Sequence, residues 1–192
     1  IVFERTGIVS HAPCGIPYYL EGLFDNYELF MHYTPDYFRR ERRIDVRTNE
    51  AVVEVSWNYV VTDRGNKVEW DYLVLATGAS PVIPSIPIEG NNVFAIHHPA
   101  DAVRLREILE SVSTVGIIGT GYIGLEVAEA LRFRGKDVIM IGRSSYPLRK
   151  SLDEDVGRII TNELIKYGVK LRLSEKLLEI NNQGNKQVIT TD

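Results

Sequence analysis

Unbroken apolar runs of strand length recur through the second half of the chain, separated by segments whose apolar residues fall three and four positions apart. Residues 115–118, 137–141 and 169–173 read as strands, and residues 122–134 and 154–167 as the helices between them. Strands alternating with helices predict a parallel α/β sheet. Ahead of this pattern, Ala102, Leu105, Ile108 and Leu109 line one face of a helix capped by Asp101 and running to Glu110. Residues 177–180 and 187–190 read as a closing hairpin.

The first hundred residues follow a different rhythm. Residues 1–3 end a strand at an acid, residues 15–24 read as a helix, and Thr34-Pro35-Asp36 starts a short basic helix that continues from Tyr37 to Arg43. Its Arg39, Arg40, Arg42 and Arg43 make either a phosphate grip or a solvated face. Residues 44–46 and 51–55 read as short strands, and residues 57–62 and 67–70 flank the turn Asp63-Arg64-Gly65-Asn66 as a β-hairpin. The unbroken hydrophobicity of residues 72–76 predicts a buried strand, ended by Thr77-Gly78-Ala79-Ser80-Pro81. Pro81, Pro84, Pro87, Gly90 and Pro99 then punctuate an extended connection, so two domains are expected, residues 1–100 and 101–192.

Composition narrows the function classes. A hydrophobic content of 44%, a charged content of 25% and a net charge of −4 describe an ordinary globular chain and argue against nucleic acid or an anionic membrane as the main partner. No apolar run reaches the roughly 18 residues of a membrane span. The one cysteine cannot form an internal disulfide or a structural zinc site, no metal is expected, and it suits a reducing, cytoplasmic setting. The chain opens on the apolar Ile1-Val2-Phe3-Glu4 without a methionine, which leads us to expect a fragment or an omitted preceding segment.

Two motifs carry chemistry. Cys14 sits in Ser10-His11-Ala12-Pro13-Cys14-Gly15-Ile16-Pro17-Tyr18-Tyr19, where Pro13 fixes the backbone and Gly15 permits a sharp turn into an apolar helix. Such a position, beside unpaired helix N–H groups, favours a reactive thiol over a buried inert one. Downstream, Gly119-Thr120-Gly121-Tyr122-Ile123-Gly124 follows a strand and opens a helix, the setting in which a GxGxxG pattern binds a dinucleotide. Gly119 permits the tight turn, Gly121 lets backbone approach the pyrophosphate, and Gly124 allows helix and strand to pack closely. At the end of the next strand, where NAD sites present a carboxylate to the ribose, stands Gly142 followed by Arg143. Arg143, helped by Arg149, favours the 2′-phosphate of NADPH; the alternative is that both are solvated and either nicotinamide is accepted.

Together these motifs resemble the flavin-dependent pyridine nucleotide-disulfide oxidoreductases, in particular the single-cysteine branch of coenzyme A-disulfide reductases, CoA-dependent NAD(P)H sulfur oxidoreductases and NADH oxidases. The resemblance runs over essentially the whole chain, through Val2-Phe3-Glu4, Ser10 to Tyr19, Asp71 to Pro81, Gly119 to Glu126 and Leu148 to Asp155. It implies two Rossmann-like α/β domains, one for FAD and one for NAD(P), both incomplete here. By position, it implies that Glu4 is the acid on the FAD ribose, that the backbone at Val52 and Val53 meets the adenine, and that Thr77, Gly78 and Ala79 form the flavin-side turn. Cys14 matches the redox cysteine, with Ser10 and Pro13 lining its approach. Tyr122 matches the aromatic that covers the flavin, and Ile123 and Glu126 lie along the nicotinamide track.

The resemblance also implies the reaction: NADPH or NADH reduces FAD, and the electrons pass to a mixed disulfide of Cys14 with coenzyme A, or to polysulfide. A cysteine sulfenic acid reducing oxygen or peroxide is the alternative, and a non-catalytic nucleotide-binding fragment is a third reading. The family's own glycine fingerprint before the ribose acid is absent ahead of Glu4, and loss of that central strand is expected to expose its apolar neighbours. A homodimer is implied for the full-length protein.

Overall fold

The computed structural model describes residues 1–184 and 186–192. By internal contacts the chain divides into two units, Ile1–Gly15 with Asn26–Ser80, and Ile16–Asp25 with Pro81–Asp192.

In the first unit, β1 (Val2–Glu4) pairs in parallel with β2 (Val46–Thr48), Val2 opposite Val46. The helix α2 (Pro35–Arg42) packs against β2 and starts as the sequence predicts: Thr34 accepts from the Tyr37 N–H at 3.2 Å, and Pro35 occupies the first turn, where no N–H is needed. It ends at Arg43, whose φ of 58° closes the helix in the left-handed region. A separate antiparallel meander joins β3 (Val52–Val55), β4 (Tyr59–Thr62) and β5 (Lys67–Glu69). Alternation on β4 buries Val60 and Thr62, and the expected hairpin turn forms around Gly65 at φ 78°. Beneath this turn the buried Glu50 accepts at 2.8 Å from both Thr62 Oγ1 and Asn66 Nδ2.

The second unit holds the parallel sheet that the periodicity predicts, ordered β6 (Thr114–Ile118), β7 (Asp137–Gly142) and β8 (Val169–Leu173). Its helices are α3 (Pro99–Leu109), α4 (Tyr122–Phe133) and α5 (Glu154–Lys166). Val127, Ala128, Ala130 and Leu131 form the buried stripe of α4, facing a central strand in which Val138, Met140 and Ile141 are buried. A hairpin of β9 (Leu177–Gln183) and β10 (Lys186–Thr191) closes the chain, and Ile189 of β10 packs over Gly116 of β6. Among the described residues no helix is long and apolar enough to cross a membrane.

Three expectations change. The helix read over residues 15–24 is the shorter α1 (Ile16–Glu21): Gly22, at φ 97°, stops it by a Schellman closure in which the Leu23 N–H reaches the Tyr18 carbonyl at 3.0 Å. The cap of α3 is His98; Asp101 sits three residues inside and accepts from the His98 N–H at 3.0 Å, completing a reciprocal capping box. Residues 72–76 are not a buried strand: no neighbour pairs with them among the described residues, and Tyr72 and Val74 are 94% and 84% exposed. A run this apolar needs strands on both sides to be buried. The proline-punctuated segment lies along β9, with the Glu89 N–H donating to the Ile180 carbonyl and the Ile180 N–H to the Pro87 carbonyl.

Candidate functional site

In the first unit Cys14 occupies a 3-10 turn, Pro13–Gly15, that leads directly into α1. The thiol is exposed. The turn closes through the Gly15 N–H on the Ala12 carbonyl at 3.0 Å. The approach to it is fixed from the neighbouring segment, since Ala12 donates to Phe30 at 2.9 Å, His32 donates to Ser10 at 3.0 Å, and His11 bridges Met31. Phe30 anchors this pairing as one of the most deeply buried side chains. Ser10 adopts φ 52°, a left-handed conformation that short polar residues accept more readily than branched ones. Ser10, Pro13 and Cys14 therefore share one tightly fixed loop.

Glu4 stands at the carboxyl end of β1, the edge of a parallel pair from which a Rossmann acid meets a ribose. Its Oε1 accepts from the Thr6 N–H at 2.7 Å and from Thr6 Oγ1 at 2.8 Å, which fixes the carboxylate in place. Thr6 was not singled out by sequence reasoning; the one signal was a short hydroxyl two positions beyond the acid. Val52 and Val53 lie exposed on β3. Thr77, Gly78 and Ala79 are exposed in irregular backbone, and no strand pairing joins them to β1 among the described residues.

The second unit builds the nucleotide loop, and its three glycines have three distinct environments. Gly119 follows β6 at φ 117°, a conformation that excludes most side chains, and donates to the Ile141 carbonyl at 2.8 Å. Gly121 is the N-cap of α4, and a Cβ added there would meet nothing within 4 Å, which leaves room for a ligand. A Cβ at Gly124 would strike the Gly119 carbonyl, so helix and loop are in close contact there. Among the described residues no side chain caps α4 and no acid stands in its first turn, so its leading N–H groups and the positive end of the helix dipole have no side-chain partner. The residues present thus fit a pyrophosphate. Tyr122 and Ile123, each 57% exposed, open the helix, and Glu126 is exposed one turn on.

At the end of β7 a Cβ on Gly142 would meet Thr120 Cγ2 at 2.7 Å, so the buried Thr120 excludes an acidic side chain there unless it moves. Thr120 is a second residue the sequence reading passed over; its place between two fingerprint glycines was the available signal. Its carbonyl accepts from Leu148 at 2.9 Å and so ties down the loop that bears Arg149. Arg143 and Arg149 are both exposed, and neither forms an ion pair among the described residues.

The model of the pyridine nucleotide-disulphide oxidoreductase family matches residues 1–192. The chain belongs to that family. Within it, the chain is 46% identical over its whole length to the NAD(P)H sulfur oxidoreductase (CoA-dependent) of Pyrococcus furiosus, of which it covers 44%. Among solved structures it is similar to a NAD-dependent persulfide reductase from A. fulgidus, at TM-score 0.90 and 30% identity over 98% of this chain and 38% of that one. It is also similar to an engineered water-forming NADPH oxidase bound to NADPH, derived from the Lactobacillus brevis NADH oxidase, at TM-score 0.92 and 28% identity over 100% of this chain and 44% of that one. The chain thus spans less than half the length of these relatives.

Proposed function

We propose that this chain supplies the thiol turn and the nucleotide loops of a flavin-dependent NAD(P)H oxidoreductase that reduces CoA disulfide or polysulfide through Cys14. The observation that carries this reading is 46% identity along the whole chain to a CoA-dependent sulfur oxidoreductase, in a chain whose one cysteine is exposed on a fixed turn. Residues 1–100 serve FAD in this reading and residues 101–192 serve the nicotinamide nucleotide. Glu4, held by Thr6, accepts from the FAD ribose; Val52 and Val53 border the adenine, and Thr77, Gly78 and Ala79 the flavin. Gly119, Gly121 and the leading N–H groups of α4 hold the NAD(P)H pyrophosphate, while Tyr122, Ile123 and Glu126 border the nicotinamide.

When bound, FAD supplies a two-electron carrier between nicotinamide and disulfide. Cys14 Sγ attacks one sulfur of CoA disulfide, the CoA S–S bond breaks, a Cys14–CoA mixed disulfide forms, and one CoA thiolate leaves. Two electrons from NAD(P)H then break the mixed disulfide, which restores Cys14 and releases the second CoA; solvent supplies the further proton. The full-length protein acts in this way as a cytoplasmic homodimer.

NADPH is the preferred donor. The NADPH-bound relative carries Gly to Ala and, eighteen positions on, Asp to Ala, with Ala to Arg and Met to Ser directly following and Pro to Arg five positions later. Here Gly124, Gly142, Arg143, Ser144 and Arg149 stand at those same intervals, so the ribose acid is missing and two arginines and a serine are in place. Ser144 adds a hydroxyl donor to the phosphate site that Arg143 and Arg149 begin.

The similarity to a water-forming oxidase supports a second reading, oxygen reduction with Cys14 cycling through sulfenic acid. Incubation of the full-length protein with NADPH and CoA disulfide, with oxygen excluded and with oxygen admitted, separates the two. Release of two CoA thiols per NADPH supports disulfide reduction; NADPH oxidation that requires oxygen and ignores CoA disulfide contradicts it.

A further inference from the structure

Two residues of the second unit, Thr120 in the glycine loop and Gly142 at the end of β7, share one small space. Gly142 is buried, and a Cβ built on it would stand 2.7 Å from Thr120 Cγ2, 2.8 Å from Thr120 Oγ1 and 3.3 Å from Thr120 Cβ. Side-chain carbons do not sit that close to other heavy atoms, so one partner would have to give way. Rotation of Thr120 does not clear the space. Both of its heavy branches face position 142, and only the third staggered position, which carries hydrogen, points away. Two branches on three positions leave at least one heavy atom facing Gly142 in every rotamer. The backbones on either side are pinned as well. Gly119 donates to the Ile141 carbonyl at 2.8 Å, which holds the glycine loop on β7, and the Thr120 carbonyl accepts from the Leu148 N–H at 2.9 Å. Gly142 lies opposite Leu173 of β8, and its own carbonyl accepts from the Glu175 N–H at 3.1 Å. The end of this strand is where a fold that prefers NAD presents its carboxylate to the ribose hydroxyls.

We propose that Thr120 is a specificity-determining residue of the nucleotide site: its branched side chain fills the space through which an acid at position 142 would reach the ribose, and so bars the NAD-type arrangement. This rests on the reading of residues 101–192 as the nicotinamide nucleotide unit. A change of preference toward NAD therefore takes two substitutions, an acid at position 142 and removal of the branches at position 120. The Thr120 carbonyl that holds Leu148, and with it the loop bearing Arg149, is backbone and survives any substitution of the side chain.

The test is calorimetric titration of the full-length protein with NAD⁺ and with NADP⁺, so that binding is read without hydride transfer. The variants are Gly142→Asp alone, Gly142→Asp with Thr120→Ala, and Gly142→Asp with Thr120→Val. Valine keeps both branches and loses only the hydroxyl, whereas alanine removes both branches. Gly142→Asp alone is expected to weaken NADP⁺ about tenfold or more through like-charge repulsion, and to leave NAD⁺ within about twofold of wild type. Adding Thr120→Ala should tighten NAD⁺ about tenfold, the effect of a charge-assisted hydrogen bond to the ribose, while adding Thr120→Val should leave NAD⁺ within about twofold of Gly142→Asp. Equal NAD⁺ affinities in the alanine and valine combinations, or a tenfold gain from Gly142→Asp alone, overturn the proposal. If the aspartate variants do not fold, melting of Gly142→Ala reads the same contact: Tm is expected to fall by about 2 °C or more beside Thr120 or Thr120→Val, and by less than about 1 °C beside Thr120→Ala. Equal losses in all three backgrounds overturn the proposal. Wild-type protein that binds NAD⁺ as tightly as NADP⁺ defeats the preference for NADPH instead, and the comparison of alanine with valine still decides the role of Thr120.

Discussion

Replacing both Arg143 and Arg149 by alanine tests the nucleotide site where it departs most from the usual NAD pattern. Gly142 stands at the end of β7 in place of a carboxylate, and the two arginines after it are exposed with no ion pair among the described residues. No ion pair among the described residues depends on them, and stability is expected to stay within about 0.5 kcal/mol. A buried charge-assisted hydrogen bond to a phosphate contributes about 1.5–3 kcal/mol, and solvent exposure reduces this toward 1 kcal/mol for each arginine. The double variant should then lose about 2 kcal/mol of NADPH recognition, roughly thirtyfold in kcat/KM, while NADH, which lacks the 2′-phosphate, changes by less than about threefold. The assay is steady-state oxidation of each nucleotide by the full-length protein over a range of salt concentrations, with the NADPH advantage shrinking as salt screens it. Equal losses for NADPH and NADH, or no loss for either, would refute the assignment of these arginines to the 2′-phosphate.

Other consequences follow from single positions. Gly121→Leu places a side chain where a Cβ meets nothing within 4 Å and where φ is −88°, so Tm should be unchanged while nicotinamide nucleotide binding, read by fluorescence quenching, weakens about tenfold or more. Leu131→Ala removes a fully buried side chain from the α4 stripe and should cost about 2–5 kcal/mol in denaturant unfolding; a loss under about 1 kcal/mol would mean the sheet is not packed as described. Hydrogen bonds from Asn66 and Thr62 hold the Glu50 carboxyl below its usual range. Its folded pKa lies below its unfolded one, so its stabilisation is present above the unfolded value of about 4.3 and fades as pH falls through the folded one. The Tm gap between wild type and Glu50→Gln should accordingly be largest near neutrality and close on acidification; a constant gap from pH about 7 to about 3 would contradict this.

Residues 114–173 were legible almost to the residue because their strands and helices pack mostly on one another, and periodicity reports local burial. Thus β6, α4, β7, α5 and β8 fall within a residue or two of their expected bounds, and the fingerprint glycines have the turn, the open position and the close contact that the motif requires. Caps were less legible. His98 competes with Asp101 for the start of α3 because a capping box uses both, and the backbone, extended at His98, decides which lies outside the helix. Residues 72–76 were misread for a different reason: hydrophobicity measures what a segment needs to bury, and no partner for this one lies among the described residues. Thr6 and Thr120 act through hydrogen bonds and contacts to groups brought near by folding, so their places beside the acid and between the glycines were signals that did not name a partner.

The central claim is that Cys14 carries the disulfide chemistry, and peptide mass spectrometry of the full-length protein after anaerobic treatment with CoA disulfide tests it most directly. The account predicts a CoA adduct on the peptide containing Cys14, removed by NADPH in wild type and never formed in Cys14→Ser. Turnover of CoA disulfide that persists in Cys14→Ser, or an unmodified Cys14 in an active wild-type sample, would contradict it.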